Sequence, residues 1–202
     1  MAFKNMAFKN FKIETDADDI ALVTWDTPGR SMNVLDETSV SELEEIVKQT
    51  SADAAVKGVV ITSGKEALSA GADLSMLEGM SRQYADVLKA KGETAANQML
   101  FEQSRRFSQV FRSIETSGKP WVAAINGLAF GGGFELTLSC HHRVAAENPK
   151  TRLGLPEIKV GLFPGAGGTQ RVPRIVPPAP GNSPTLISGR PSRVLGLSAA
   201  TR

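Results

Sequence analysis

The sequence predicts an α/β fold built on a mainly parallel sheet. Three observations carry this. Short apolar, β-branched runs at Ile20 to Trp25, Gly58 to Thr62 and Pro120 to Ile125 read as buried strands. Segments with apolar residues at helical spacing alternate with them. A glycine run at Gly131 to Gly133 opens a further helix through Phe134 to Leu138.

Taken in order, the chain starts with a five-residue unit written twice, Met1 to Asn5 and Met6 to Asn10. A repeat this short builds no solenoid, so residues 1–10 are expected to be a mobile end. Phe11 to Thr15 pairs with Ile20 to Trp25 as a hairpin across Asp16 to Asp19. Pro28-Gly29 is a turn. Asp36 caps a helix with Val40, Leu43 and Val47 on its apolar face. Gly58 to Thr62 is a strand, followed by a loop from Ser63 to Gly71. Residues 81–114 read as helical, with Leu100, Phe107, Phe111 and Ile114 on one stripe. Val144 to Ala146 and Arg152 to Leu155 are short strands. After Pro177-Pro178 the composition turns to Pro, Gly, Ser and Arg without a period. The expected division is therefore residues 1–10, a domain at 11–178, and a poorly ordered tail at 179–202.

Composition bounds the function. The chain has 202 residues, 41% hydrophobic and 22% charged, enough for one core. Net charge is +2, from 23 basic and 21 acidic residues, too balanced for a nucleic-acid partner. The single cysteine, Cys140, permits no internal disulfide and points to a reducing compartment. No apolar run approaches the ~20 residues of a membrane span, and the N-terminus lacks the apolar core of a signal peptide. A cytoplasmic protein without a membrane partner is expected.

The chemistry concentrates between Gly127 and Arg171. Glu135 follows Asn126-Gly127-Leu128-Ala129-Phe130-Gly131-Gly132-Gly133-Phe134. Glu157 precedes Ile158-Lys159-Val160-Gly161-Leu162-Phe163-Pro164-Gly165-Ala166-Gly167-Gly168-Thr169-Gln170-Arg171. Glycines let bare backbone N–H groups approach a ligand. Two carboxylates beside such donors can divide acid and base work while the donors hold an oxyanion. This is the chemistry of a thioester enolate.

These two blocks, with Ala70-Gly71-Ala72-Asp73-Leu74 before them, resemble the crotonase superfamily, above all the enoyl-CoA hydratases. More narrowly they resemble the hydratase/isomerase part of bacterial multifunctional fatty-acid oxidation α-subunits. The resemblance covers roughly residues 11–178 and implies a fold of repeated ββα units. It implies that the N–H groups of Ala72 and Gly132 form an oxyanion hole. It makes Glu135 the base that activates water, Glu157 the acid that protonates C2, and Gly165 a backbone donor that places the water. A chain with Glu157 alone would look like an isomerase, and both glutamates favour hydration of trans-2-enoyl-CoA. Coenzyme A is expected along Ala70, Gly71, Ala72, Asp73 and Leu74, with Asp73 fixing the loop. Arg30 and Met32 match a segment lining the pantetheine and phosphates. Ser75 stands where many relatives carry lysine.

The resemblance implies no cofactor and no metal, with acyl-CoA as substrate. It also implies a trimer or a multienzyme complex, weakened here because the family's C-terminal helices are missing or divergent. Other readings remain open: an inactive truncated fragment, or a crotonase homologue that only binds, RNA included. Gly165 to Gly168 lacks the Lys-Ser/Thr end of a P-loop. Cys140-His141-His142 cannot all face one ion from regular structure.

Overall fold

The computed structural model describes residues 8–175. A five-stranded sheet has the order β1-β2-β3-β4-β6, and a two-stranded sheet joins β5 to β7. β1 (Phe11–Thr15) and β2 (Ile20–Trp25) form the expected hairpin. Asp16 shapes its turn by accepting from the N–H groups of Asp18 and Ile20, both at 2.9 Å. Phe11 lies opposite Trp25, and their rings stack at 5.5 Å. β2, β3 (Gly58–Ser63), β4 (Trp121–Ile125) and β6 (His142–Ala145) then pair in parallel. Each parallel step needs a crossover, which is why helices separate these strands.

The duplicated start ends inside the fold, not outside it. Asn10 is buried, and its N–H and side-chain amide both donate to Glu42, at 2.9 and 3.0 Å. Phe8 packs against the core. Residues 8–10 are thus held by a helix side chain, which their composition could not show. Residues 1–7 and the expected tail at 179–202 lie outside the described residues.

Helix α1 (Glu37–Ala52) starts as its sequence requires. Asp36 accepts from Ser39 N at 2.8 Å, and Ser39 Oγ accepts from Asp36 N at 2.9 Å. Val40, Leu43 and Val47 are buried, joined by Ile46. Against them lie Ala21, Val23, Trp25, Val59 and Ile61, every second strand residue, as the pleat dictates.

The helical stretch at 81–114 is two helices. α2 (Leu74–Lys91) and α3 (Glu93–Glu115) are separated by Gly92, held at φ +82. Its left-handed conformation ends α2 and turns the chain back. α2 packs on α3, and Leu100 is 37% exposed. The predicted stripe holds only in the second half, where Phe111 and Ile114 are buried and Phe107 borders the core. α4 (Gly132–Ser139) is almost wholly buried, a single 3-10 turn runs Glu157–Val160, and α5 spans Gly168–Ile175. The predicted strand at 152–155 reduces to β7 (Leu153–Gly154), paired with β5 (Ala129–Phe130).

One residue ties the loops that reach the site. Asn33 is fully buried, and its Oδ1 accepts from Thr27 N at 2.9 Å. Its Nδ2 spreads two hydrogens over Trp25 O, Ser63 Oγ and Leu68 O, at 2.9, 2.9 and 3.1 Å. Asn33→Ala leaves these buried groups unpaired and is expected to cost about 2–3 kcal/mol, measured by urea unfolding.

Candidate active site

Two backbone donors stand side by side. Leu35 forms a parallel bridge with Ala72. Leu35 N donates to Gly71 O at 2.8 Å and Leu35 O accepts from Asp73 N at 2.9 Å. This uses the groups on either side of Ala72 and turns the Ala72 N–H the other way. Gly132 is the first residue of α4, where the N–H has no intrahelical acceptor. Neither Ala72 N nor Gly132 N meets a protein acceptor among the described residues. A Cβ placed on Gly132 would stand 3.9 Å from Ala72 N and only 2.6 Å from Leu35 Cδ1. A side chain at 132 would thus have to displace Leu35, and glycine lets the two donors come together at the positive end of a helix.

The carboxylates border the same spot. Glu135, in the first turn of α4, is 2% exposed. Its Oε1 accepts from Gly168 N at 2.7 Å and Ala166 N at 3.0 Å. Its Oε2 lies 4.0 Å from the position of a Gly132 Cβ. The pairing of β5 with β7, continued by Gly131 N donating to Gly154 O at 3.0 Å, sets the α4 start beside the chain leading to Glu157. Glu157 opens the 3-10 turn, and its Oε1 comes within 3.0 Å of a Gly131 Cβ position. Its Oε2 is buried without a partner among the described residues.

Burial raises the Glu135 carboxyl above its ordinary 4.5. The Gly168 and Ala166 N–H groups oppose this, Glu157 adds to it, and Arg171 opposes it. Burial also raises Glu157. Two such groups titrate as a pair, and the first to ionise discourages the second. The site can thus hold one proton to give and one carboxylate to accept.

A raised native pKa makes charging the carboxyl unfavourable to the fold. That cost is absent below 4.5, where the group is protonated folded and unfolded alike. It grows as pH rises from there through the raised native value. Glu135→Gln keeps an acceptor for the two N–H groups and removes the charge. It is expected to gain ~0.5–2 kcal/mol at neutral pH. The gain should vanish in acid, a comparison made by thermal melts across pH.

The structure brings Ala72, Gly132, Glu135 and Glu157 together. Gly165 is near but exposed, and its carbonyl accepts from Ser108 Oγ at 3.4 Å. The N–H groups that reach Glu135 belong to Ala166 and Gly168, which reading the sequence missed. The only signal for them was the Gly165 to Gly168 run itself.

In the expected coenzyme A segment, Gly71 is buried, Ala70 half-buried and Leu74 exposed. Met32 is exposed. Asp73 does fix the loop: it caps α2, accepting from Ser75 N at 2.8 Å. Arg30 Nη1 pairs with Asp73 Oδ2 at 2.7 Å while remaining 47% exposed. Its expected phosphate role thus shares the guanidinium with this pairing. Burial acts to raise Asp73, but Ser75 N–H and Arg30 outweigh it and hold its carboxyl below the ordinary value.

His141 Nδ1 accepts from Trp121 N at 3.0 Å, at the edge of the sheet. Burial pushes the Cys140 thiol up to about 12. Among the described residues no three His, Cys, Asp or Glu side chains cluster as metal ligands. Among them, too, no helix is long and apolar enough to cross a membrane.

The sequence profile of the enoyl-CoA hydratase/isomerase family matches residues 15–192. The chain belongs to this family. It is 43% identical over 169 residues to the fatty acid oxidation complex subunit alpha of Shewanella amazonensis. The match covers 83% of this chain and 22% of that protein. The same subunit of Idiomarina loihiensis is 42% identical over 170 residues, with the same coverage. Enoyl-CoA hydratase from Bacillus anthracis superposes with a TM-score of 0.68 at 31% identity, covering 83% of this chain and 58% of that one. Pseudomonas aeruginosa DspI gives 0.69 at 32%, covering 87% and 60%. The chain thus has the crotonase-type α/β fold of these enzymes. It spans about a fifth of the curated relatives and under two thirds of the solved neighbours.

Proposed function

We propose that the chain hydrates trans-2-enoyl-CoA to 3-hydroxyacyl-CoA. The observation that supports it most is the pair of N–H groups without acceptors among the described residues, Ala72 and Gly132, flanked by two carboxyls of raised pKa. The thioester oxygen accepts from both N–H groups, which draws electrons from C3. Glu135 takes a proton from water as the hydroxyl bonds to C3. The C2–C3 π electrons shift to give an enolate, whose oxygen the two donors hold. Glu157 delivers a proton to C2, and the thioester is restored. A proton moved between C2 and C4 by Glu157 alone gives isomerisation as a second activity. Loss of the enoyl absorbance of crotonyl-CoA tests the reading.

The relatives are subunits of a fatty acid oxidation complex, and association of this chain into such an assembly is proposed with the same reading. The rival reading is a domain that binds the thioester without turning it over. Crotonyl-CoA binding by calorimetry with unchanged absorbance would establish the rival.

A further inference from the structure

The Thr169-Gln170-Arg171 end of the second glycine block has no part in the chemistry above. Arg171 lies in α5, directly after the turn that holds Glu135. Its guanidinium grips in two directions. Nε donates to Glu115 Oε1 at 2.7 Å, and Nη1 donates to Ala166 O at 2.8 Å. Ala166 and Gly168 are the residues whose N–H groups hold Oε1 of Glu135. Gly167, between them, sits at φ +101, and a Cβ there would overlap Arg171 Nη1.

Helix α3 anchors the assembly at two points. Glu115 also pairs with Arg112 at 2.9 Å. Burial acts to raise Glu115, but the two arginines outweigh it and keep it ionised. Two turns earlier on the same face, Ser108 Oγ reaches Gly165 O at 3.4 Å. Arg171 and Glu115 are mostly buried, at 15% and 25% side-chain exposure, so solvent weakens this pair less than a surface one.

We propose that Arg171, held by Glu115, is a positioning residue for Glu135. It fixes the Ala166 to Gly168 turn so that two N–H groups aim Oε1, leaving Oε2 toward Gly132. The proposal rests on the reading of Glu135 as the base that activates water. The charged groups acting on Glu135 are Glu157 from the 3-10 turn and Arg171 from α5. Those acting on Glu115 are Arg171 and Arg112. Removing Arg171 therefore does two things: it loosens the turn, and it deletes a charge that lowers the Glu135 pKa.

The test is crotonyl-CoA kinetics across pH on Arg171→Met, Arg171→Lys and Glu115→Gln. Arg171→Met is expected to lower kcat about 10²-fold with KM within about threefold, because a misaimed base costs rate and not binding. Its acid limb of kcat/KM should move to higher pH, since the base then ionises later. Arg171→Lys keeps the charge but not the two-directional grip. It should lose kcat while its acid limb stays in place. Glu115→Gln should fall between the parent and Arg171→Met. A mere structural brace predicts lower melting temperatures with kcat and acid limb unmoved, and that result overturns the proposal. If Arg171→Met does not fold, unchanged kcat in both milder variants overturns it equally.

A parent chain with no turnover would refute the hydratase reading by itself. The positioning role is then decided by the ¹³C titration of the Glu135 carboxyl, assigned by its loss in Glu135→Gln. An upward shift in Arg171→Met supports the proposal, and an unmoved titration overturns it.

Discussion

Glu157→Gln is expected to abolish both hydration and isomerisation, whereas Glu135→Gln is expected to abolish hydration and spare much of the isomerisation. Proton transfer at C2 belongs to both reactions, and activation of water belongs to one. Positioned acid–base groups contribute ~10²–10⁴-fold, so each loss should be of that size. The structure supplies an asymmetry that matches these roles. Glu135 has one oxygen committed to Ala166 and Gly168 N–H groups, while Glu157 keeps a buried oxygen without a partner among the described residues. The first carboxyl is held in one pose. The second is free to carry a proton between C2 and C4. Parallel assays with 2-enoyl and 3-enoyl thioesters separate the two activities. Small, equal losses in both variants would refute the division of labour.

Gly132→Val should cost turnover far more than it costs folding. A Cβ at this position would already stand 2.6 Å from Leu35 Cδ1, and a β-branched side chain adds to the conflict. Leu35 or the start of α4 must then shift, and the branched side chain beside the two donors is expected to push the thioester oxygen off the Gly132 N–H. Loss of one oxyanion donor costs about 10²–10³-fold in kcat. Affinity for a saturated acyl-CoA should change little, because the donor is worth most when charge develops. Turnover and melting temperature, measured on the same preparation, decide it. If kcat stays within a few-fold of the parent, the oxyanion is stabilised elsewhere.

Much of this site was legible in the chain because its chemistry demands particular residue types. Glycines at 131 and 132 and carboxyls at 135 and 157 are the residue types that the proposed oxyanion hole with acid–base partners calls for. The β1–β2 hairpin, the Asp36 cap and the buried runs at 20–25, 58–62 and 120–125 were legible for a related reason. Local periodicity and capping are properties of neighbouring residues. The break at Gly92 within the helical stretch at 81–114 was not legible, because a lone glycine in a helical pattern does not announce a break. The packing of α2 on α3 makes Gly92 one.

By itself, then, the sequence determined the α/β class and the order of most elements, and it pointed to the two carboxyls and two backbone N–H groups proposed to act together. Each depends on residue type and near neighbours. Only the tertiary structure decided what aims them. The Ala166 and Gly168 donors are backbone groups, which no side chain advertises. Asn33 bridges residues 30 and 35 positions away, and Arg171 meets a glutamate 56 positions earlier. Arg30 is paired to Asp73 across two loops. Contacts at such separations follow from how the sheet and helices bring distant segments together, and the chemistry of any one residue leaves that placement open.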